Sequence, residues 1–142
     1  MTSAFSQIIA REIPAHILAE DGSFLAFLDV RPIKRGHTLV VPKQEVDDIF
    51  DLFDQVLAGL LVFARPVANA IRSVTSATRV GVAVVGLEIP HAHVHLVPID
   101  AIGDLDFRKA APAVESELAA TASATRVVSS WTWCPSNPRK HQ

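Results

Sequence analysis

His91, His93 and His95 alternate with Ala92 and Val94, and Leu96 follows. A two-residue period is that of a β-strand, so the three imidazoles are expected on one face, with Ala92, Val94 and Leu96 on the other. On a helix the same residues would fan around the axis and could not act as a set. The apolar face needs a core behind it, which leaves the imidazoles to line an open groove. Such a row supports two chemistries: metal ligation, or nucleophilic catalysis in which one ring attacks and its neighbours hold developing charge. The bland alternative is a surface ladder of histidines. A structural zinc site normally completes its tetrahedron with cysteine or further histidine, and the single cysteine, Cys134, lies far along the chain. The surroundings therefore do not favour a metal, and none is expected.

The elements that must position this row can be read from patterning. Ala4 to Arg11 suits a short helix ended by Pro14. Ala15 to Glu20 reads as a strand, Asp21-Gly22 as a two-residue hairpin turn with glycine at positive φ, and Ser23 to Asp29 as the return strand. That strand puts Leu25, Phe27 and Asp29 on one side and Phe24, Ala26 and Leu28 on the other. A strand from His37 to Val41 follows, closed by Pro42. From Asp47 to Val74 the pattern is helical: Ile49, Phe50, Phe53, Val56, Leu57, Leu60 and Leu61 recur at the spacing of a buried face. Asp47, Asp48 and Asp51 suit its start, and Pro66 should kink or split it. Val80 to Val85 and His91 to Val97 complete five strands, and Ala113 to Ala124 is helix-compatible. The expected class is α+β: a five-stranded antiparallel sheet with a long helix packed on one face.

Composition narrows the setting. A chain of 142 residues suits one domain, and a hydrophobic fraction of 49% hints at apolar surface covered by a partner. A net charge of −2 suggests neither nucleic acid nor an anionic membrane as partner. One cysteine excludes an internal disulfide and fits a reducing compartment. No basic segment followed by an apolar run opens the chain, and Val56 to Ile71 is interrupted by Arg65, Pro66 and Asn69 and too short to span a bilayer comfortably. The expectation is a cytoplasmic protein. Trp131 and Trp133, in an otherwise polar tail, should dock on the chain's own core or on a second subunit.

His91-Ala92-His93-Val94-His95-Leu96-Val97 resembles the signature of the histidine triad (HIT) family of nucleotide-binding hydrolases and transferases. Phe27-Leu28-Asp29-Val30-Arg31-Pro32 and Gly36-His37-Thr38-Leu39-Val40-Val41-Pro42-Lys43 resemble its other two landmarks, in the right order. Phe5-Ser6-Gln7-Ile8-Ile9 and Glu12-Ile13-Pro14-Ala15 match its opening, so the likeness covers roughly residues 4 to 99. It implies a HIT-like domain over residues 1–110, with 111–142 as a C-terminal helix and tail in the same domain or at its dimer contact.

The resemblance also implies roles. His93 is the expected nucleophile on an α-phosphate, giving a nucleotidyl-imidazole that water cleaves. His95 would hydrogen-bond the non-bridging oxygens, His91 would fix its neighbour, and His37 would stand near the phosphate or leaving group. Asp29 would hold the two ribose hydroxyls, and Phe5, Ile8, Phe27 and Val30 would line the base pocket. Lys34, Arg35 and Lys43 would draw anionic substrates in. The implied substrate is a purine nucleotide or nucleotide conjugate, a phosphoramidate first, handled by a homodimer without a cofactor. A non-catalytic nucleotide-binding protein and a metal-dependent hydrolase ligated by the three histidines are the alternatives.

Departures bear on that reading. Where many relatives have Gln and Ser or Thr just before the triad, this chain has Leu87 and Glu88. Glu88 would repel a polyphosphate, pair with a cationic leaving group, or orient a histidine. Ser3-Ala4-Phe5-Ser6 stands where many relatives carry Cys-x-x-Cys, which removes the ligands a zinc site there would need.

Overall fold

The computed structural model describes residues 2–127; Trp131, Trp133 and Cys134 lie outside the described residues. Five strands form one antiparallel sheet: β1 (Ile17–Glu20), β2 (Phe24–Leu28), β3 (Thr38–Pro42), β4 (Arg79–Ala83) and β5 (Val94–Ile99), in spatial order β1-β2-β3-β5-β4. Helix α1 (Ala4–Ile9) precedes them, α2 (Asp54–Thr75) connects β3 to β4, and α3 (Glu115–Thr125) follows β5. The expected α+β class and long helical excursion are both present.

Register decides which residues share a face. Phe27 pairs with Leu39, Leu39 with His95, and Leu25 with Val41. These side chains stand on the α1 side, where Phe5, Leu25, Phe27, Leu39 and Val41 form a small apolar cluster. Phe24, Ala26, Leu28, Val40, Val94 and Leu96 point the other way, into the main core beneath α2. The sheet thus has hydrocarbon on both faces, and His95, paired with Leu39 on one side and Ala83 on the other, stands on the α1 face.

Helix α2 buries Leu60, Ala64, Val67 and Ile71, a four-three-four spacing that keeps one stripe on the sheet. Each of the three larger side chains contributes about 1.5–3 kcal/mol by leaving water. By length and composition this 22-residue helix is able to cross a membrane, contrary to the shorter span expected, yet here its apolar stripe is spent on the sheet. The expected stripe is also displaced: Phe50, Phe53 and Leu61 are exposed. For Phe50 and Phe53 the reason is that residues 47–53 do not begin the helix; Leu61 lies within α2 but off its buried stripe. Asp48 caps a separate 3-10 turn, Ile49–Asp51, by accepting the Phe50 N–H, and α2 starts after Phe53. Pro66 neither splits nor ends it; the carbonyl left without a donor belongs to Val62, on the exposed side of the helix.

One turn also differs from expectation. Three residues, Asp21 to Ser23, join β1 to β2, and Gly22 is not at positive φ. The Asp21 carboxylate instead accepts the N–H groups of Ser23 and Phe24, which closes the turn through a side chain. Positive φ is used at Gly36, at +94°, immediately before His37. A Cβ there would lie 3.1 Å from Thr75 Cγ2 and 3.3 Å from Ile71 Cγ2. Gly36→Ala is expected to cost about 1–3 kcal/mol, from backbone strain and that contact; urea denaturation measures it, and an unchanged midpoint contradicts it.

Candidate active site

Strand β5 starts at Val94, so only His95 of the three histidines lies within it; His91 and His93 belong to the segment that leads in. The strand expected from His91 is cut short because that segment pairs elsewhere: the Ala92 N–H goes to the Val46 carbonyl and the His91 N–H to that of Ile89. The alternation still carries the rings to one side. Phe5 packs edge-on against His91 and His93, with centroids 5.8 and 5.0 Å away, and the His93 and His95 centroids are 4.9 Å apart. His37 continues the row, its ring 5.2 Å from that of His95.

The groove is narrower than expected. His37 and His91 are 1% and 0% exposed, His93 and His95 only 7% and 8%. Phe5 covers one end of the row, and Phe107, from the 3-10 turn Phe107–Lys109, covers the other, with its ring 4.7 Å from that of His95. A cavity of about 380 Å³, counting its open mouth, lies on the α3 side of Asp29 and His37, and neither His93 nor His95 lines it.

Burial makes each hydrogen bond decide a protonation state, because a neutral imidazole has one N–H and one lone pair. His37 Nδ1 accepts the Ile33 N–H at 3.0 Å, so the ring's proton is on Nε2. That Nε2–H donates to His95 Nδ1 at 3.0 Å, which puts the His95 proton on its Nε2. His93 donates Nδ1–H to the His91 carbonyl at 2.8 Å and keeps its lone pair on Nε2. His91 donates Nε2–H to the Pro42 carbonyl and accepts from Ser3 Oγ at Nδ1, both at 2.7 Å. Neither His93 Nε2 nor His95 Nε2 has a partner among the described residues, and neither is a sealed polar atom; of those, Gln44 Oε1 alone lacks a partner among the described residues. The site therefore presents a lone pair beside an N–H donor. A tetrahedral or pentavalent centre with anionic oxygens is complementary to that pair.

Electrostatics agree. Burial lowers the His37 value despite the nearby Asp29 carboxylate. Burial also lowers His91, and it is the largest cause pushing His95 down to about 3, with His93 and His37 adding to it. Losing water disfavours the cation.

The other expected residues are dispersed by distance. Phe5 and Phe27 meet edge-on at 5.5 Å, with Ile8 packed beside them. Asp29 Oδ2 is 3.7 Å from His37 Nε2, while Oδ1 accepts the Arg31 N–H in a local turn, so its need for a partner is partly met within the loop. Val30 is exposed, as is Glu88. The cations expected to recruit substrate are engaged: Lys34 with Asp104, Lys43 with Glu20, and Arg35 with Thr121. Sequence patterning missed Phe107, Ile33 and Glu45. It also missed Ser3 as the cap of α1, although Ser before a helical run is the signal that finds one.

A metal does not suit these groups. Ligand atoms of Asp29, His37 and His95 lie within 4.8 Å of one another. Yet a metal-bound histidine gives its second N–H to an acceptor, and His37 Nδ1 instead faces a backbone N–H, which keeps the proton on the nitrogen a metal would need. The triad itself fails as a ligand set because both His91 nitrogens are engaged. Ser3 and Ser6 offer hydroxyls already committed to His91 and Glu45.

The HIT domain family model matches residues 10–102. An uncharacterized HIT-like protein of Mycobacterium tuberculosis is 37% identical over 103 residues, covering 69% of this chain and 72% of that one. An adenosine 5'-monophosphoramidase of Schizosaccharomyces pombe is 31% identical over 99 residues, covering 69% and 74%. A zinc-bound histidine triad family protein from Mycobacterium smegmatis superposes with a TM-score of 0.72 at 31% identity, covering 87% of this chain and 94% of that one.

The three lowered histidines give a pH test. Unfolded, each titrates near 6.5. As pH falls below that value the unfolded chain takes up protons the folded chain refuses, so stability is lost on the acid side, down to about 3 for His95. Urea midpoints at about pH 7.5 and about pH 5 should show the fall, and His95→Asn should reduce it; equal midpoints contradict buried neutral rings.

Proposed function

The chain belongs to the HIT domain family, and from that premise we propose that it is a nucleotide hydrolase or nucleotidyl transferase, with purine nucleoside phosphoramidates as its substrates. The observation that carries this reading is the pairing of His93 and His95. One exposes a lone pair at Nε2 and the other an N–H at Nε2, on rings 4.9 Å apart. His93 Nε2 attacks the α-phosphorus, the P–N bond to the leaving amine breaks, and the amine departs with a proton taken from solvent or from a neighbouring imidazole. His95 Nε2–H donates to a non-bridging oxygen as it gains charge, and the His91 carbonyl stabilises the cationic His93 ring that forms. Water then attacks the nucleotidyl-His93 phosphorus and restores the free ring, releasing a nucleoside monophosphate. Similarity to the S. pombe phosphoramidase supports this substrate class.

Asp29 is the proposed ribose clamp through Oδ2, its freer oxygen, and Phe5, Phe27, Ile8 and Val30 the proposed base-side wall. Glu88 is exposed, and its proposed place is the leaving-group side, where a carboxylate would favour cationic amines over polyphosphates. A homodimer is part of the same proposal. β4 is a sheet edge, and Val82, Val84 and Val85 along and beyond it are exposed, as are Leu61 and Val62 on α2.

Incubation with adenosine phosphoramidate should release AMP. His93→Ala should lower turnover at least about a thousandfold, and His95→Asn about a hundredfold or more. Turnover preserved in His93→Ala rejects the mechanism, and AMP binding without turnover of any conjugate by the parent chain leaves a binding protein. Light scattering should give the mass of two chains; the mass of one at micromolar concentration contradicts the dimer.

A further inference from the structure

Beyond the rings that face substrate, a second polar cluster lies behind the triad. Ser3 is 6% exposed although it is the cap of α1. Its Oγ accepts the Ser6 N–H at 3.0 Å and donates to His91 Nδ1 at 2.7 Å. The direction of that second bond is not free: the His91 proton is committed to the Pro42 carbonyl, so Nδ1 is an acceptor and the hydroxyl must give. Glu45 Oε1 takes the Ser3 N–H and the Ser6 O–H together, binding the first turn of α1 to the segment that follows β3. The end of β3 and that same segment also hold the triad, through the Pro42 and Val46 carbonyls.

These bonds converge on one group. The His91 carbonyl receives the His93 Nδ1–H, so the placement of residue 91 sets which nitrogen of His93 keeps its lone pair. Phe5, on the turn that Ser3 and Glu45 anchor, packs on both rings. Two chain segments far apart in sequence are thus tied to the backbone atom that orients the central ring.

We propose that Ser3 and Glu45 are positioning residues, a hydrogen-bonded latch that uses α1 to fix His91 and, through its carbonyl, the reactive orientation of His93. The proposal rests on the catalytic reading of His93. Glu45 is held ionised below its ordinary range, first by the Ser3 N–H and then by the Ser6 O–H, so the latch is set across neutral pH. The groups facing His91 are Glu45, from the segment after β3, and His93 in its own segment.

The test uses the full chain and adenosine phosphoramidate. Ser3→Ala removes the donor to a buried lone pair, and kcat should fall about tenfold with KM within about twofold. Ser3→Thr, which keeps the hydroxyl, should recover most of the loss, and Glu45→Ala should fall between the two. Nitrogen-15 NMR titration provides a readout independent of turnover: without the hydroxyl the neutral ring loses support, so His91 in Ser3→Ala should protonate at higher pH than in the parent. A Ser3→Ala protein with parental kcat and an unmoved His91 titration overturns the latch. If the parent turns over no phosphoramidate, the catalytic reading falls, and the His91 titration alone decides whether Ser3 holds that ring.

Discussion

Everything in this site depends on a shortage of protons in a dry place. Each buried imidazole has one hydrogen to give and one lone pair to receive with, and each is assigned by a neighbour that has no choice. A backbone N–H can only donate and a backbone carbonyl can only accept. The Ile33 N–H fixes His37, His37 fixes His95, and the Pro42 and His91 carbonyls fix His91 and His93. The free nitrogens at the end of these chains are opposite in character, and that opposition is what the proposed chemistry uses.

The sheet supplies the geometry for this. Pairing of Leu39 with His95 brings the loop histidine before β3 and the histidine inside β5 to the same side of the sheet, where the two rings hydrogen-bond. Gly36 gives the chain the positive φ it needs just before His37. The main core under α2 stabilises the opposite face, so Val94 and Leu96 anchor the strand while His95 is left on the other side. On the α1 side, Phe5 serves two ends at once: it completes an apolar cluster with Phe27 and covers the triad from water.

Much of this was legible in the residues. The strand-like alternation of His91, His93 and His95, the two faces of Ser23 to Asp29, and the five-strand plan all follow from period and turn chemistry. What was not legible has physical reasons. Phe50 and Phe53 fit a helical stripe, but Asp48 caps a separate turn, and helical spacing alone does not reveal where one helix stops and another begins. Asp21-Gly22 looked like a glycine-driven turn, and the aspartate side chain closes it. The groove was expected open because the alternation says nothing of Phe107, which arrives from a loop without periodicity. Nor does a single residue such as Glu45 announce a partner 42 positions earlier in the chain, since such contacts are set by tertiary packing alone.

The account is tested most directly by the proton positions themselves. Long-range proton–nitrogen correlation spectra at neutral pH, assigned by His-to-Gln substitution, report which nitrogen of each ring carries hydrogen. The structure requires Nδ1–H on His93 and Nε2–H on His95 and His37. A His93 ring protonated at Nε2 would leave no lone pair facing the substrate side and would contradict the account.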